Sequence, residues 1–226
     1  SKTGDMVQSW IIRSDVNPFA AIHTGQDESV CGDCPLRGIL EITKGSRHNT
    51  VNRRRACYVN VHQAPRAVFQ AFHNGRYEPF DRQRHLGLFR GRMLRIGSYG
   101  DPCAVPYAIW SPVANVADGR TGYTHQWQRG QFWRYRRLLM ASCESLADAN
   151  DAQSREWRTF RTAPVGEPTA VGEFHCPASE EQGKRLTCEQ CGACNGADGN
   201  PGRASVLIAV HGSPAVLSSY RRLITS

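Results

Sequence analysis

The sequence predicts an α/β protein: an open or partial (β/α)6 barrel of mostly parallel strands, with a Cys-rich, Gly-rich insertion before the last strand. Short β-branched or apolar runs alternate along the chain with stretches of helical periodicity, and sequential βα units imply parallel pairing through crossovers. At 226 residues, with 40% hydrophobic and 9% aromatic side chains, the chain is long enough to bury a core within one domain, residues 1–226. No apolar stretch approaches the roughly 18 residues of a membrane span, so no membrane partner is expected.

The first strand falls at either Trp10–Arg13 or Phe19–His23. Pro65 in the first turn and Gly75 after the last predict a helix over Pro65–Asn74, with Val68, Phe69 and Phe72 on one face. Met93–Ser98 follows as a strand, Pro106–Ala117 as a helix interrupted by Pro112, and Gly122–Trp127 as a strand. Gln131–Arg137 reads as a short helix and Leu138–Cys143 as a strand. Ser145 and Asp148 begin a capping box for a helix running to about Glu156. Trp157–Thr162 is the next strand. Val206–Val210 is the most apolar strand of the chain, with a helix near Ala215–Leu223 behind it. In such folds the chemistry sits at the carboxyl ends of the strands, which here carry Ser98–Asp101, His125, Glu144, Arg161 and His211.

Nine cysteines, an odd number, and an opening Ser1-Lys2-Thr3-Gly4-Asp5 without secretory character argue against a disulfide framework and for a reduced, cytoplasmic chain with a trimmed start. Cys31 and Cys34 form a C-x2-C pair, and Cys57 follows after 22 residues. Cys176 precedes a C-x2-C-x2-C run of Cys188, Cys191 and Cys194. Four thiolates complete either a tetrahedral zinc site or a [4Fe–4S] cluster, and a tight run with a remote Cys-Pro (Cys176-Pro177) is the ferredoxin arrangement. Gly192, Gly196, Gly199, Gly202 and the small Ala193 let the backbone of the 163–204 insertion wrap closely around a metal. The first group, in the loop spanning about residues 24–63, has three ligands. It is either an open metal position, a closed site completed by Cys103, His23, His48 or His62, or a set of buried apolar thiols. Cys103 and Cys143 stand apart, each a catalytic thiol with His125 as base or a free buried cysteine. His175 beside Cys176 orients or replaces a ligand. No P-loop, dinucleotide fingerprint or HExxH pattern is present.

Three cysteines in the loop after the first strand of a six-unit partial barrel resemble the radical S-adenosylmethionine (SAM) superfamily. The turn Tyr99-Gly100-Asp101-Pro102 sits where that family carries Gly-Gly-Glu-Pro. Gly100 and Pro102 match; Tyr99 and Asp101 depart from the pattern, as does the C-x2-C-x22-C spacing from the usual C-x3-C-x2-C. A 22-residue loop still has the reach to bring the three thiolates together. The series CGDCP, CYVN, GSYGDP, GYTH and CxxCxxC is also similar to small phage- and plasmid-encoded three-cysteine-motif iron–sulfur proteins. The resemblance implies that Cys31, Cys34 and Cys57 bind a [4Fe–4S] cluster whose open iron chelates SAM, and that Gly97, Ser98, Tyr99, Gly100 and Asp101 hold SAM. It implies further that Cys176, Cys188, Cys191 and Cys194 bind an auxiliary [4Fe–4S] cluster, with zinc as the alternative. An electron donor such as a flavodoxin or ferredoxin would serve it, in the cytoplasm of a bacterial host. His125, Cys103, Arg161 and His211 are the candidates for catalytic roles.

Charge offers a rival of another class. The net charge is +8, carried almost wholly by Arg, since Lys occurs only at positions 2, 44 and 184. Arg53-Arg54-Arg55, Phe89-Arg90-Gly91-Arg92 and Trp127 through Arg137 interleave Arg with aromatics, a composition suited to RNA or single-stranded DNA. The same pattern also follows from a high-GC genome, with Trp127, Phe132 and Trp133 packing against the sheet. In this reading the protein is a metal-stabilised nucleic-acid binder, or an enzyme whose substrate is nucleic acid.

Overall fold

The structure is a computed structural model describing residues 2–45, 47–48, 50–183, 185–197, 200 and 202–225, with the backbone alone at 51 and 53. Lys184, Gly199 and the Arg53 side chain therefore lie outside the described residues. The chain enters through β1 (Val7–Trp10), whose Val-Gln-Ser-Trp sequence contains no apolar run. Neither expected first strand is correct: Trp10–Arg13 shares only Trp10 with β1, and Phe19–His23 lies inside α1 (Pro18–Thr24). Local chemistry decides this. The Asn17 side chain accepts from the Phe19 N–H, Pro18 opens the first turn, and Gly25 closes the helix at φ +76. After α2 (Glu28–Cys31) and a 3₁₀ turn at Pro35–Arg37 comes an antiparallel hairpin of β2 (Ile39–Ile42) and β3 (Thr50–Arg53). Next come α3 (Ala64–His73), one residue from its expected position, and the short α4 (Arg82–His85) capped by Asp81.

The second half is more regular. β4 (Met93–Tyr99) leads to α5 (Tyr107–Val116), which holds Pro112 within it, and then to β5 (Gly119–Thr124). β5 ends three residues before the expected Trp127. The Thr124 hydroxyl accepts from the Gln126 N–H at 2.9 Å, turning the chain into a 3₁₀ segment at Gln126–Gln128. Gly122 is small of necessity, because a Cβ there would stand 2.5 Å from Leu139. The segment Gly130–Arg137 is 3₁₀, followed by β6 (Met140–Cys143) and α6 (Leu146–Ser154), whose N-cap Ser145 accepts from the Asp148 N–H as its sequence predicts. β7 (Thr159–Ala163), β8 (Glu173–His175), α7 (Cys188–Cys191), β9 (Ser205–Ala209) and α8 (Pro214–Thr225) complete the chain.

The sheet runs β1-β4-β5-β6-β7-β9-β8, and every neighbouring pair in it is parallel. It is open, with β1 and β8 at its edges. The α/β class and the parallel sheet agree with the sequence. The regular six-unit repeat does not, because the β5–β6 crossover is 3₁₀ only and the insertion contributes β8 outside β9. Strand alternation divides the side chains between two faces. Leu94 and Ile96 join Trp110 and Val113 of α5 and Ala149 and Ala152 of α6 in the main core. Arg95, Gly97 and Tyr99 look the other way, into a cavity. Among the described residues no helix is long and apolar enough to cross a membrane.

Candidate functional site

The cavity measures about 450 Å³, and Cys31, Cys34, Cys57, Cys176, Cys188, Cys191 and Cys194 all line it. The two cysteine groups, far apart in sequence, thus face one space. Its floor comes from alternate strand residues: Thr121 and Tyr123 of β5, Ser142 of β6, and Phe160 and Thr162 of β7.

The first group is assembled by closing a long loop. Cys31 ends α2, and the Cys34 N–H bonds back to its carbonyl at 3.3 Å. The β2–β3 hairpin then reverses the chain, so that the Ala56 and Cys57 N–H groups both donate to Leu36 O, at 3.1 and 3.0 Å. This returns Cys57 to the Cys34 turn across the 22 intervening residues. Burial pushes the Cys31 thiol up, and Cys34, Asp27 and Cys57 push it further. Cys57 is also raised by burial, against the pull of Arg55 and of a backbone bond from Val59. Around these thiols lies a buried charge network. Asp27, 1% exposed, pairs with Arg37 at 2.8 Å and Arg55 at 3.7 Å. The Arg55 Nη2 and the Tyr99 hydroxyl are buried without a hydrogen-bond partner among the described residues, and both interact electrostatically with Cys31 and Cys57.

The second group hangs on backbone bonds. The Cys176 N–H donates to Leu207 O of β9 at 2.8 Å, Cys188 N–H to Lys2 O at 2.8 Å, and Cys194 O accepts from the Gly122 N–H of β5 at 3.1 Å. Thr187 and Gln190 form a capping box that starts α7, and Gly192 ends it at φ +58. Burial raises the Cys176 thiol, opposed by a backbone bond from Ala178 and by Lys2. Cys194 is pushed up to about 12 by burial, while the Tyr123 hydroxyl bond and Arg95 draw it down. Cys176 and Cys188 act on it too, which marks the group as mutually close.

The Gly97–Asp101 turn lines the cavity beside the first group. Gly100 has φ +77, and a Cβ would collide with the Ile11 carbonyl oxygen. The Asp101 carboxylate is fully engaged internally, accepting from Cys103 N–H at 2.9 Å, Thr124 Oγ1 at 2.8 Å and His125 N–H at 2.9 Å. It pins the end of β4 to the end of β5. His125 reaches Glu144 Oε1 through Nε2 at 2.8 Å and also hydrogen-bonds the Cys34 side chain. Burial works against its charge, yet Cys34 and Glu144 outweigh burial and raise its pKa well above the ordinary value. His211 lines the cavity with its ring 5.5 Å from that of Tyr58.

Other expected residues lie elsewhere. Arg161 is mid-strand in β7 on the face away from the cavity, where it bonds both Glu173 carboxylate oxygens, at 2.9 and 2.7 Å. Alternation places it there, since its neighbours Phe160 and Thr162 take the cavity side. Cys103 and Cys143 are buried in the main core, Cys103 3.3 Å from Thr124 Oγ1, and neither lines the cavity. His23 and His62 pack on Phe19 with ring centroids 4.5 and 4.4 Å away, and His48 stacks on His23 at 5.9 Å, all outside the cavity lining. None of these groups completes the first cysteine set. His175 is exposed and off the lining as well. Of the Arg-aromatic stretch, Trp127 and Tyr135 are core residues, Arg129 pairs with Asp33 and Arg136 with Glu156.

Among the described residues no group of three or more Cys, His, Asp or Glu side chains is gathered around a single-ion position. A four-iron cube places one thiolate on each of several irons, so its ligands surround a cube rather than a point. Thiol pairs that perturb one another, N–H groups from Val59 and Ala178 directed at Cys57 and Cys176, and the Arg55 Nη2 and Tyr99 hydroxyl donors without a hydrogen-bond partner among the described residues fit such a thiolate-held centre. Comparison of the chain with protein-family models, curated proteins and solved structures finds no match.

Proposed function

We propose that this is a two-cluster iron–sulfur protein of radical-SAM type, acting on a small molecule held between the clusters. Cys31, Cys34 and Cys57 hold a [4Fe–4S] cluster with one iron free of protein ligand, and Cys176, Cys188, Cys191 and Cys194 hold a second. One observation carries the reading: all seven cysteines face a single cavity of about 450 Å³. When bound, the three-thiolate cluster supplies one-electron reductive cleavage of SAM to methionine and a 5′-deoxyadenosyl radical, the electron coming from a flavodoxin- or ferredoxin-like donor.

The chain's own residues set the conditions. Arg55, Tyr99 and the Val59 N–H stand ready to donate to the first group's sulfurs, which stabilises added negative charge and raises the reduction potential. His125 hydrogen-bonds the Cys34 side chain, with Glu144 fixing its ring. Trp10, Tyr99 and Phe160 wall the cavity and exclude water from reactive species. The Asp101 clamp keeps the Gly97–Asp101 turn in place, with most of its carboxylate's acceptor capacity spent on the chain itself. Purified without oxygen, the chain is expected to carry about eight irons, four per cube. Addition of SAM should change the electron paramagnetic resonance (EPR) spectrum of one reduced cluster only. Two tightly held zincs and no iron would overturn the reading.

A second reading, a metal-stabilised nucleic-acid binder, is favoured by one feature. Trp133 is 54% exposed, with Arg136 4.7 Å from its ring and the exposed Arg134 and Arg137 beside it. Salt-sensitive retention on single-stranded DNA or RNA, lost in Trp133→Ala, is its signature.

A further inference from the structure

We infer that Arg95 forms an anion subsite in the cavity, taking the carboxylate of an organic acid with an apolar, aromatic-contacting body. The inference deepens the function proposed above and rests on it for the identity of that acid as the substrate. Arg95 is 8% exposed, springs from the middle of β4 and lines the cavity. Its guanidinium meets the Tyr58 hydroxyl at a long 3.4 Å and the face of Tyr123 at 4.9 Å. Among the described residues no carboxylate pairs with it.

The other deeply buried guanidiniums are served differently. Arg161 has Glu173, and Arg158 donates to Asn195 Oδ1, Gly196 O and Ala204 O. Beyond that phenol and ring face the polar neighbours of Arg95 are the Cys188 and Cys194 thiols, which leave the planar fork without a bidentate oxygen partner among the described residues. A second group points to the same ligand. Thr121, directly across from Arg95 in the β4–β5 register, is 2% exposed and lines the cavity, and its hydroxyl has no hydrogen-bond partner among the described residues. A planar fork beside a free hydroxyl suits the two oxygens of a carboxylate. Trp10, Tyr58, Tyr99 and Phe160 line the rest of the space and favour a flat apolar body.

Calorimetric titration of the anaerobically purified full chain with matched acid and amide probes tests this. The pairs are benzoate and benzamide, phenylacetate and phenylacetamide, and indole-3-acetate and indole-3-acetamide. At least one acid should bind roughly tenfold or more tightly than its amide, the scale of hydrogen bonds to a charged group. Arg95→Gln should erase that preference, the acids losing far more affinity than the amides, and Thr121→Val should weaken it several-fold. Equal affinities in every pair overturn the proposal, as does a preference that survives Arg95→Gln. If Arg95→Gln does not fold, the native acid-to-amide ratio and Thr121→Val still decide. Saturating SAM should leave the preference intact; competitive loss would assign Arg95 to the cofactor's carboxylate and overturn the substrate subsite. Iron content and SAM binding, measured on the same sample, report separately on the two-cluster reading.

Discussion

The two cysteine groups share a cavity and are built on opposite principles. The first sits among buried charges, Asp27, Arg37, Arg55 and the His125–Glu144 pair, and its three thiols come from a loop folded back on itself. The second has four thiols tied by backbone bonds to β9, β5 and Lys2, with Tyr123 and Arg95 as its polar neighbours. Charged surroundings and a missing ligand suit a centre that binds and reduces something, whereas a saturated, backbone-pinned centre suits an electron relay or a brace. On the proposed reading, the difference separates reactivity from support within one wall of the molecule.

The largest effects that test this contrast come from the thiols themselves. Cys57→Ser and Cys194→Ser should each cut the iron content from about eight to about four per chain. Cys57→Ser alone should abolish the EPR response to SAM. If both variants abolish it, the second group is no mere brace. Next comes the Arg161–Glu173 pair, which holds β8 and therefore Cys176 to the sheet. Its side chains are 3% and 1% exposed, so Glu173→Gln leaves the buried Arg161 with only the longer, half-exposed Glu167 pair at 3.5 Å and the Pro168 carbonyl, at a cost of about 1–3 kcal/mol in a denaturant titration. The same variant should lose second-group iron and keep the first. Gly100→Ala should cost about 1–3 kcal/mol through its left-handed backbone and the collision with Ile11, and should weaken the SAM response without touching second-group iron.

A pH effect of smaller size belongs to the same pair. Burial raises the Glu173 carboxyl, but bonds from Arg161 and the Ala170 N–H outweigh it and hold the group below its ordinary 4.5. A depressed carboxylate stabilises the fold fully above that ordinary value and loses this contribution as pH falls through the lower, folded value. The melting-temperature gap between native protein and Glu173→Gln should accordingly be constant above about pH 4.5 and narrow below it.

What the sequence revealed was local. Ser145 before Asp148, Pro65 before Gly75 and the apolar run at Val206–Val210 each carry a self-contained signal, and each gave an element in the expected place. Cysteine spacing gave the grouping for the same reason. β1 escaped because Val-Gln-Ser-Trp is stabilised by its pairing with β4 and not by its own composition. β8, three residues at the edge, is too short to show a period. Arg161 looked like a strand end only because β7 was set a residue or two early; with β7 at Thr159–Ala163, alternation alone assigns it to the far face. The common cavity, the Asp101 clamp and the exposed pairing need of Arg95 all depend on contacts between distant segments, which no local pattern encodes.

The Lys2 carbonyl that receives the Cys188 N–H has a companion in the Asp5 N–H, which donates to Glu189 Oε2 at 2.9 Å across 184 residues of sequence. The opening segment thus acts as a clasp on the helix carrying Cys188 and Cys191. On a ribosome that clasp has to wait, since its partner emerges 184 residues later. The three-thiol group is complete in sequence by residue 57. The four-thiol group closes only once Cys194 has emerged, so a nascent chain passes through a stage in which the first cysteine group exists without the wall that faces it.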